Sequence, residues 1–281
     1  MPVPDHVHRF WREFDLLFER FEPTWWGAVV TDSRFPSVWD VNYARVDTAG
    51  GGLSAADIEG DLLPALDKAG VEVMHVVSFV TEETTGLMNE LSTRGHLIGW
   101  DLVMDLVRDP TQEDRGIEVE ELSPGDELWD RLGASLRSFG IEEPGAVAQL
   151  SRLEREVLTP AGKRWFGVRD EGAVVSLAAV VVIGDVGYLD NVATFPEARG
   201  RGYASALTSR LCAEAKTAGA QHVSLFADPG AKDVVSMYER IGFRGVATIG
   251  STRGPVPVPG TTRQAGSSGT IAPVRPDREA R

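Results

Sequence analysis

The chain has 281 residues, 42% of them apolar and 25% charged, with a net charge of −14. That is a globular composition with room for one large domain or two ordinary ones. The acidic balance disfavours a nucleic-acid-binding surface, which needs basic patches. Cys212 stands alone, which excludes an internal disulfide and four-thiolate metal sites. The five histidines show no metal-ligand spacing, so no metal is expected. Met1–His6 lacks the basic-then-apolar pattern of a signal peptide, and the longest apolar run, Ala173 to Ile183, is too short to span a bilayer. A reduced cytoplasmic protein with no membrane partner is expected.

Arg9 to Phe21 carries aromatic residues at helical spacing and predicts an amphipathic helix. Trp26–Thr31 and Val38–Asp47 read as strands. After Gly50-Gly-Gly52, Ser54 and Asp57 form a capping box for a helix that Gly70 ends. Val71–Val80 reads as a strand, Glu82–Thr93 as a helix and Leu97–Val107 as a strand. The polar stretch Arg108–Gly116 predicts a boundary, giving a first domain over 1–110 and a second over 111–250.

The second domain opens with a strand, Ile117–Leu122. Ser123-Pro-Gly-Asp126 predicts a helix start, and a second helix runs from Pro144 to about Leu158. Strands follow at Arg164–Val168, Ala173–Ile183 and Tyr188–Phe195. The remaining elements are a helix from Tyr203 to Ala218, a strand Val223–Ala227, a helix Lys232–Ile241 and a short strand Arg244–Ile249. Residues 251–281 are rich in Pro, Gly and Ser and predict a disordered tail. The order strand, helix, strand, helix, strand recurs in both halves, which suggests two related domains.

The most informative segment joins the strand ending at Phe195 to the helix opening at Tyr203. Between them lie Arg199, Gly200, Arg201 and Gly202. Glycines let backbone N–H groups approach a ligand, a helix start adds partial positive charge, and two arginines add full charges. The loop is built to hold a phosphorylated ligand. In the first half the equivalent place is Gly50-Gly-Gly-Leu-Ser54, with no arginine.

Arg199, Gly202 and Ala204, preceded by Val-Ala-Thr-Phe-Pro196 and followed by Met237-Tyr-Glu-Arg-Ile-Gly-Phe243, resemble the motifs of the GNAT acetyltransferase superfamily over about 117–249. The whole chain resembles a tandem arrangement with a degenerate N-terminal half. The resemblance implies an α/β (α+β) fold with a mixed, mainly antiparallel sheet flanked by helices. It implies acetyl-CoA as donor, with the diphosphate of coenzyme A on Arg199, Gly200, Arg201, Gly202, Tyr203 and Ala204. The pantetheine would lie along Asn191, Val192, Ala193 and Thr194, with a bulge at Asn191-Val192 and Val192 N–H as oxyanion donor. Asp190 would take or relay the acceptor's proton and Tyr238 would serve the leaving thiolate. Ala231 stands where many members carry an asparagine that contacts pantetheine; Asp228 or Lys232 would have to compensate. The acceptor implied is a small-molecule amine. An acyl-CoA sensor without catalysis and a protein acetyltransferase are the alternatives, and a homodimer is left open. Cys212, Trp25, Trp26 and His222 read as structural.

Overall fold

A computed structural model describes residues 2–48, 50, 52–80, 84–110 and 116–256. All its strands join one eleven-stranded sheet in the order β1-β2-β3-β4-β11-β5-β10-β9-β8-β7-β6. The N-terminal half supplies β1 (Arg20–Pro23), β2 (Gly27–Thr31), β3 (Tyr43–Val46), β4 (Val73–Ser78) and β5 (Leu97–Leu106). The C-terminal half supplies β6 (Glu120–Leu122), β7 (Arg164–Asp170), β8 (Ala173–Ile183), β9 (Val186–Thr194), β10 (His222–Ala227) and β11 (Phe243–Pro255). Only β3·β4 and β9·β10 are parallel; every other neighbouring pair is antiparallel. The mixed, mainly antiparallel α/β sheet expected from the sequence is therefore present.

The two halves exchange strands at the centre. β5 lies between β10 and β11, while β11 lies between β4 and β5. β5 and β11 run against each other along their full lengths, from Phe243 opposite Leu106 to Arg253 opposite Leu97. The first half thus completes the sheet of the second, and the second completes the first. This corrects the short final strand and the tail beginning at 251: Gly250 to Pro255 pair with β4, so the strand reaches past Ile249. Thr252 is buried there despite the polar, proline-bearing composition of its surroundings. Residues 257–281 lie outside the described residues.

Among the described residues seven helices cover the sheet: α1 (Asp5–Phe14), α2 (Ala55–Ala69), α3 (Thr84–Thr93), α4 (Asp126–Ser138), α5 (Pro144–Leu153), α6 (Tyr203–Thr217) and α7 (Lys232–Ile241). α5 continues into a π-turn, Glu154–Leu158. The predicted Arg9–Phe21 helix starts earlier and stops at Phe14 because Asp15 is buried. The hydroxyl of Tyr43 donates to Asp15 at 2.5 Å and Arg45 pairs with its other oxygen, an arrangement a continuing helix would break. Phe21 consequently lies on β1. The predicted Val38–Asp47 strand is shortened as well. Asn42 turns its amide onto the carbonyls of Phe35 and Val38 and leaves a 3₁₀ turn at Trp39–Val41. α4 begins at Asp126 with Gly125 as its cap, so Ser123 and Pro124 precede the helix rather than open it.

α1 straps the halves together. Arg9 pairs with Asp185 at 2.9 Å, Arg12 with Asp47 at 3.1 Å and His6 with Asp105 at 3.1 Å. Val3 and Val7 pack with Phe79, Val103, Ala247 and Ile249, which places α1 over the exchanged strands. On the opposite face α6 and α7 bury Leu207, Leu211, Tyr238 and Ile241 against Met104, Leu189 and Leu225. No helix among the described residues is long and apolar enough to cross a membrane.

Candidate active site

The site lies where a parallel pair comes apart. β9 and β10 are paired only over Val186–Tyr188 and His222–Ser224. Beyond Ser224, β10 continues to Ala227 paired only along its other edge, with β5, while β9 stays with β8. The gap is a cleft of about 250 Å³ lined by residues that include Tyr188, Asp190, Val192, Leu225 and Tyr238. It passes through the sheet. Leu225 and Tyr238 belong to the core under α6 and α7, whereas Tyr188 and Phe226 pack against Trp11 of α1.

A bulge keeps the gap open. Asp190 faces Ala179 and Ala193 faces Leu177, so Asn191 and Val192 together stand opposite the single residue Ala178. Asn191 has φ 53°, a left-handed conformation tolerated because its side chain hydrogen-bonds locally. The predicted position of the bulge is the observed one. Neither Asn191 nor Val192 has a cross-strand partner in the register.

Asp190 is held firmly. Its Oδ1 accepts from the Asn191 N–H at 2.8 Å; its Oδ2 accepts from Lys163 at 2.6 Å and from Asn191 Nδ2 at 3.0 Å. The buried Lys163 also donates to Glu154 at 2.7 Å. Burial alone would lower the Lys163 pKa, but the charges of Asp190 and Glu154 outweigh it and raise it. Burial raises the carboxyl of Glu154. Lys163 and Glu154 were absent from the sequence-based site. Lys163 lies 27 residues before Asp190, and no local spacing connects them.

Tyr238 is buried except towards the cleft, and desolvation followed by the nearby Asp190 charge pushes its hydroxyl up to about 12. It is therefore a neutral proton donor near neutral pH. Among the described residues the hydroxyl has no hydrogen-bond partner.

The loop before α6 has the expected form. Gly200 and Gly202 adopt φ 78° and 89°, and nothing lies within 4 Å of where a Cβ on Gly200 would project. Gly202 caps α6 without a side-chain hydrogen bond, and the first turn carries no acid. Tyr203, Ala204 and Ser205 therefore open the helix with N–H groups free of side-chain caps, the arrangement that binds an anion. Arg199 donates Nε to the Thr194 carbonyl at 3.2 Å, and Arg201 pairs with Asp170 at 2.5 Å on the exposed surface. These residues fit a diphosphate. Ala231 caps α7 without a side-chain bond, and Asp228 Oδ1 accepts from the Gly230 N–H at 2.7 Å.

A splayed parallel pair, a bulged strand and a bare basic helix start define a GNAT-type fold. Comparison with known proteins agrees. Residues 126–243 match the acetyltransferase (GNAT) family. A putative GNAT-family acetyltransferase from Novosphingobium aromaticivorans DSM 12444 aligns at 21% identity and TM-score 0.42 over 56% of this chain; the match spans 64% of that protein. A GCN5-related N-acetyltransferase from Kribbella flavida is similar at 18% identity and TM-score 0.58, over 90% of this chain and 96% of its own. A tandem GNAT protein from the clavulanic acid biosynthesis pathway matches at 12% identity and TM-score 0.52, over 76% of this chain and 75% of its own. No curated protein matches the sequence significantly. Residues 126–243 thus match the acetyltransferase (GNAT) family, and the sheet repeats a parallel strand pair in each half.

Proposed function

We propose that the protein is an acetyl-CoA-dependent N-acetyltransferase whose acceptor is a small-molecule amine, with direct attack in a ternary complex. The observation that carries this reading is the cleft itself: a strand freed by a bulge on one side of a bare, basic helix start, leading to Tyr238. Acetyl-CoA, when bound, supplies an activated thioester acyl group. Arg199, Arg201 and the N–H groups of Gly202, Tyr203 and Ala204 would hold its diphosphate. The edge of β9 from Asn191 to Thr194 would take the pantetheine amides, and Val192 N–H would stabilise developing negative charge on the carbonyl oxygen.

An alkylammonium acceptor must lose a proton before it attacks. Asp190 has one lone-pair position left on Oδ1 after the bonds described above. It orients the acceptor and takes or relays that proton, while Lys163 fixes its position. Tyr238 donates a proton to the departing thiolate from the other side of the cleft. The test is release of free thiol from acetyl-CoA with a panel of small amines and with a lysine-bearing peptide. Turnover of small amines supports the proposal; turnover of the peptide alone moves the activity to protein targets, and tight coenzyme A binding without any turnover makes the protein a sensor.

A further inference from the structure

The bulge of β9 is held by a ring of side chains that reaches behind the cleft. Asn191 keeps φ 53° there, a backbone that persists only where its surroundings fix it. Lys163 Nζ donates to Asp190 Oδ2 at 2.6 Å and to Glu154 Oε1 at 2.7 Å. Asn191 Nδ2 donates to the same two oxygens, at 3.0 and 3.3 Å. Two donors and two acceptors therefore close a ring, and the Asn191 N–H adds a bond to Asp190 Oδ1 at 2.8 Å. The ring runs from the cleft into the core: the Asp190 side chain is 38% exposed and that of Lys163 1%.

The buried end of the ring is fixed by its own backbone. Glu154 opens the π-turn, where its carbonyl accepts from the Thr159 N–H at 2.8 Å, and the Lys163 N–H returns to the Leu158 carbonyl at 2.9 Å. π-turns of this kind recur at functional sites. Leu153, Val157 and Leu158 pack in one cluster with Phe18, Phe35 and Val38, so the N-terminal half braces the turn. Glu154 Oε2 is enclosed without a hydrogen-bond partner, which leaves the carboxylate aimed by Lys163 and Asn191 alone. A buried charge pair is a poor source of stability, because apolar side chains of the same volume commonly serve as well. What this one supplies is position.

We infer that Glu154 and Lys163 are positioning residues for the acetyl transfer: by closing the ring with Asn191 and Asp190 they lock the β9 bulge, and so set both the Asp190 carboxylate and the Val192 N–H at the cleft. Neither touches a reacting atom; both act through the bulge. This deepens the acetyltransferase reading and rests on it for the chemistry, but the state of the bulge can be measured apart from turnover. The N-terminal half thereby contributes to the site without lining it, through the π-turn it braces.

The experiment compares Glu154→Leu and Glu154→Gln in the full chain. Amide NMR reads Asn191 and Val192 without substrate, calorimetry reads coenzyme A binding, and thiol release from acetyl-CoA with a panel of small amines reads kcat. Leucine removes the shared acceptor oxygen. The Asn191 and Val192 amides should then shift and exchange faster with solvent, and kcat should fall about tenfold or more, because a misplacement of about 1 Å can cost ~10²-fold. Coenzyme A affinity should stay within about threefold, because Arg199 to Ala204 are untouched. Glutamine keeps an oxygen that accepts from both donors, and should recover most of kcat and both amide positions. If Glu154→Leu fails to show a folded protein on thermal unfolding, Lys163→Met with Glu154→Leu removes the buried charges together and carries the same expectations. Unmoved amides in the folded leucine variant would overturn the inference. A kcat within twofold of the wild type would overturn it and keep the acetyltransferase. A glutamine variant as impaired as the leucine one would overturn it as well. Displaced amides that glutamine restores, in a protein that turns over no amine, would keep the locked bulge and sink the acetyltransferase.

Discussion

The helix starts of α2 and α6 occupy corresponding places in the two halves and have opposite chemistry. At α2 the first and third donors are occupied by side chains. Ser54 and Asp57 cap each other, with bonds of 2.9 and 3.3 Å, and the Ala55 N–H goes to Glu90 at 3.0 Å. At α6 the cap is Gly202, no acid sits in the first turn, and Arg199 and Arg201 stand beside it. The adjacent strands differ in the same sense. β3 and β4 pair to their ends, Val46 opposite Ser78, and the Phe79 N–H adds a bond to Val46 at 2.9 Å. β9 and β10 part after three residues. One topology is thus either finished with its own hydrogen bonds or left incomplete for a ligand. Function in the second half follows from bonds the fold does not make internally.

Breaking the open half gives the largest effects. Tyr238→Phe removes the only proton donor assigned to the leaving thiolate, and general acid catalysis is worth about 10²–10⁴-fold. The expected result is a fall in kcat of at least about a hundredfold, with coenzyme A affinity within a factor of two; steady-state kinetics and calorimetry separate these. An unchanged kcat removes Tyr238 from the chemistry. Arg199→Ala combined with Arg201→Ala should weaken coenzyme A by about ten- to a hundredfold, because each charge-assisted hydrogen bond contributes about 1.5–3 kcal/mol and Arg201 gives up its Asp170 partner to bind. Affinity within a factor of two would show that the helix start alone holds the diphosphate.

Much of the open half was legible because it is local. The glycines and arginines of 199–202 and the bulge at Asn191-Val192 all fall within twelve residues, and backbone chemistry at that range shows in sequence. The capping box at Ser54 and Asp57 was visible for the same reason. Long-range elements were not. Lys163 looks like an ordinary polar residue before a strand until the fold sets it between Glu154 and Asp190. Asp40 falls in a stretch whose alternation suggests a strand, and only the Asn42 side chain, by claiming two carbonyls, turns it into a 3₁₀ corner. The exchange of β5 and β11 was not foreseen. Pairing partners about 150 residues apart, such as Asp101 and Ile249, leave no mark in either segment, since backbone hydrogen bonds between strands are not written in local side-chain spacing.

The closed half can be probed through His75. It is buried, donates towards the Trp39 carbonyl and is held down to about 4 by desolvation, from an ordinary 6.5. Below pH 6.5 the unfolded chain gains a proton that the folded chain refuses. Stability should therefore fall as pH drops from about 6.5 to about 4, by up to about 3 kcal/mol from this residue. Denaturant unfolding across that range should show the loss in the wild type and a smaller one in His75→Gln. Equal slopes in both would mean that the turn carrying Asp40 does not depend on a neutral imidazole.

The smallest effect sharpens the comparison most. Ser54→Ala with Asp57→Ala uncaps α2, making its start more like that of α6. Loss of one cap costs about 1 kcal/mol, roughly 2–4 °C in a chain of this size. If bare donors were sufficient for a diphosphate site, the variant would gain a second coenzyme A. It should not, because the loop before α2 carries no arginine, the nearby Arg94 is engaged by Glu59 and Glu90, and the β3·β4 pair stays closed, leaving no edge for the pantetheine. Calorimetry should report one site in both proteins. A second site appearing in the variant would show that the caps alone silence the first half, and that the zipped strands open on demand.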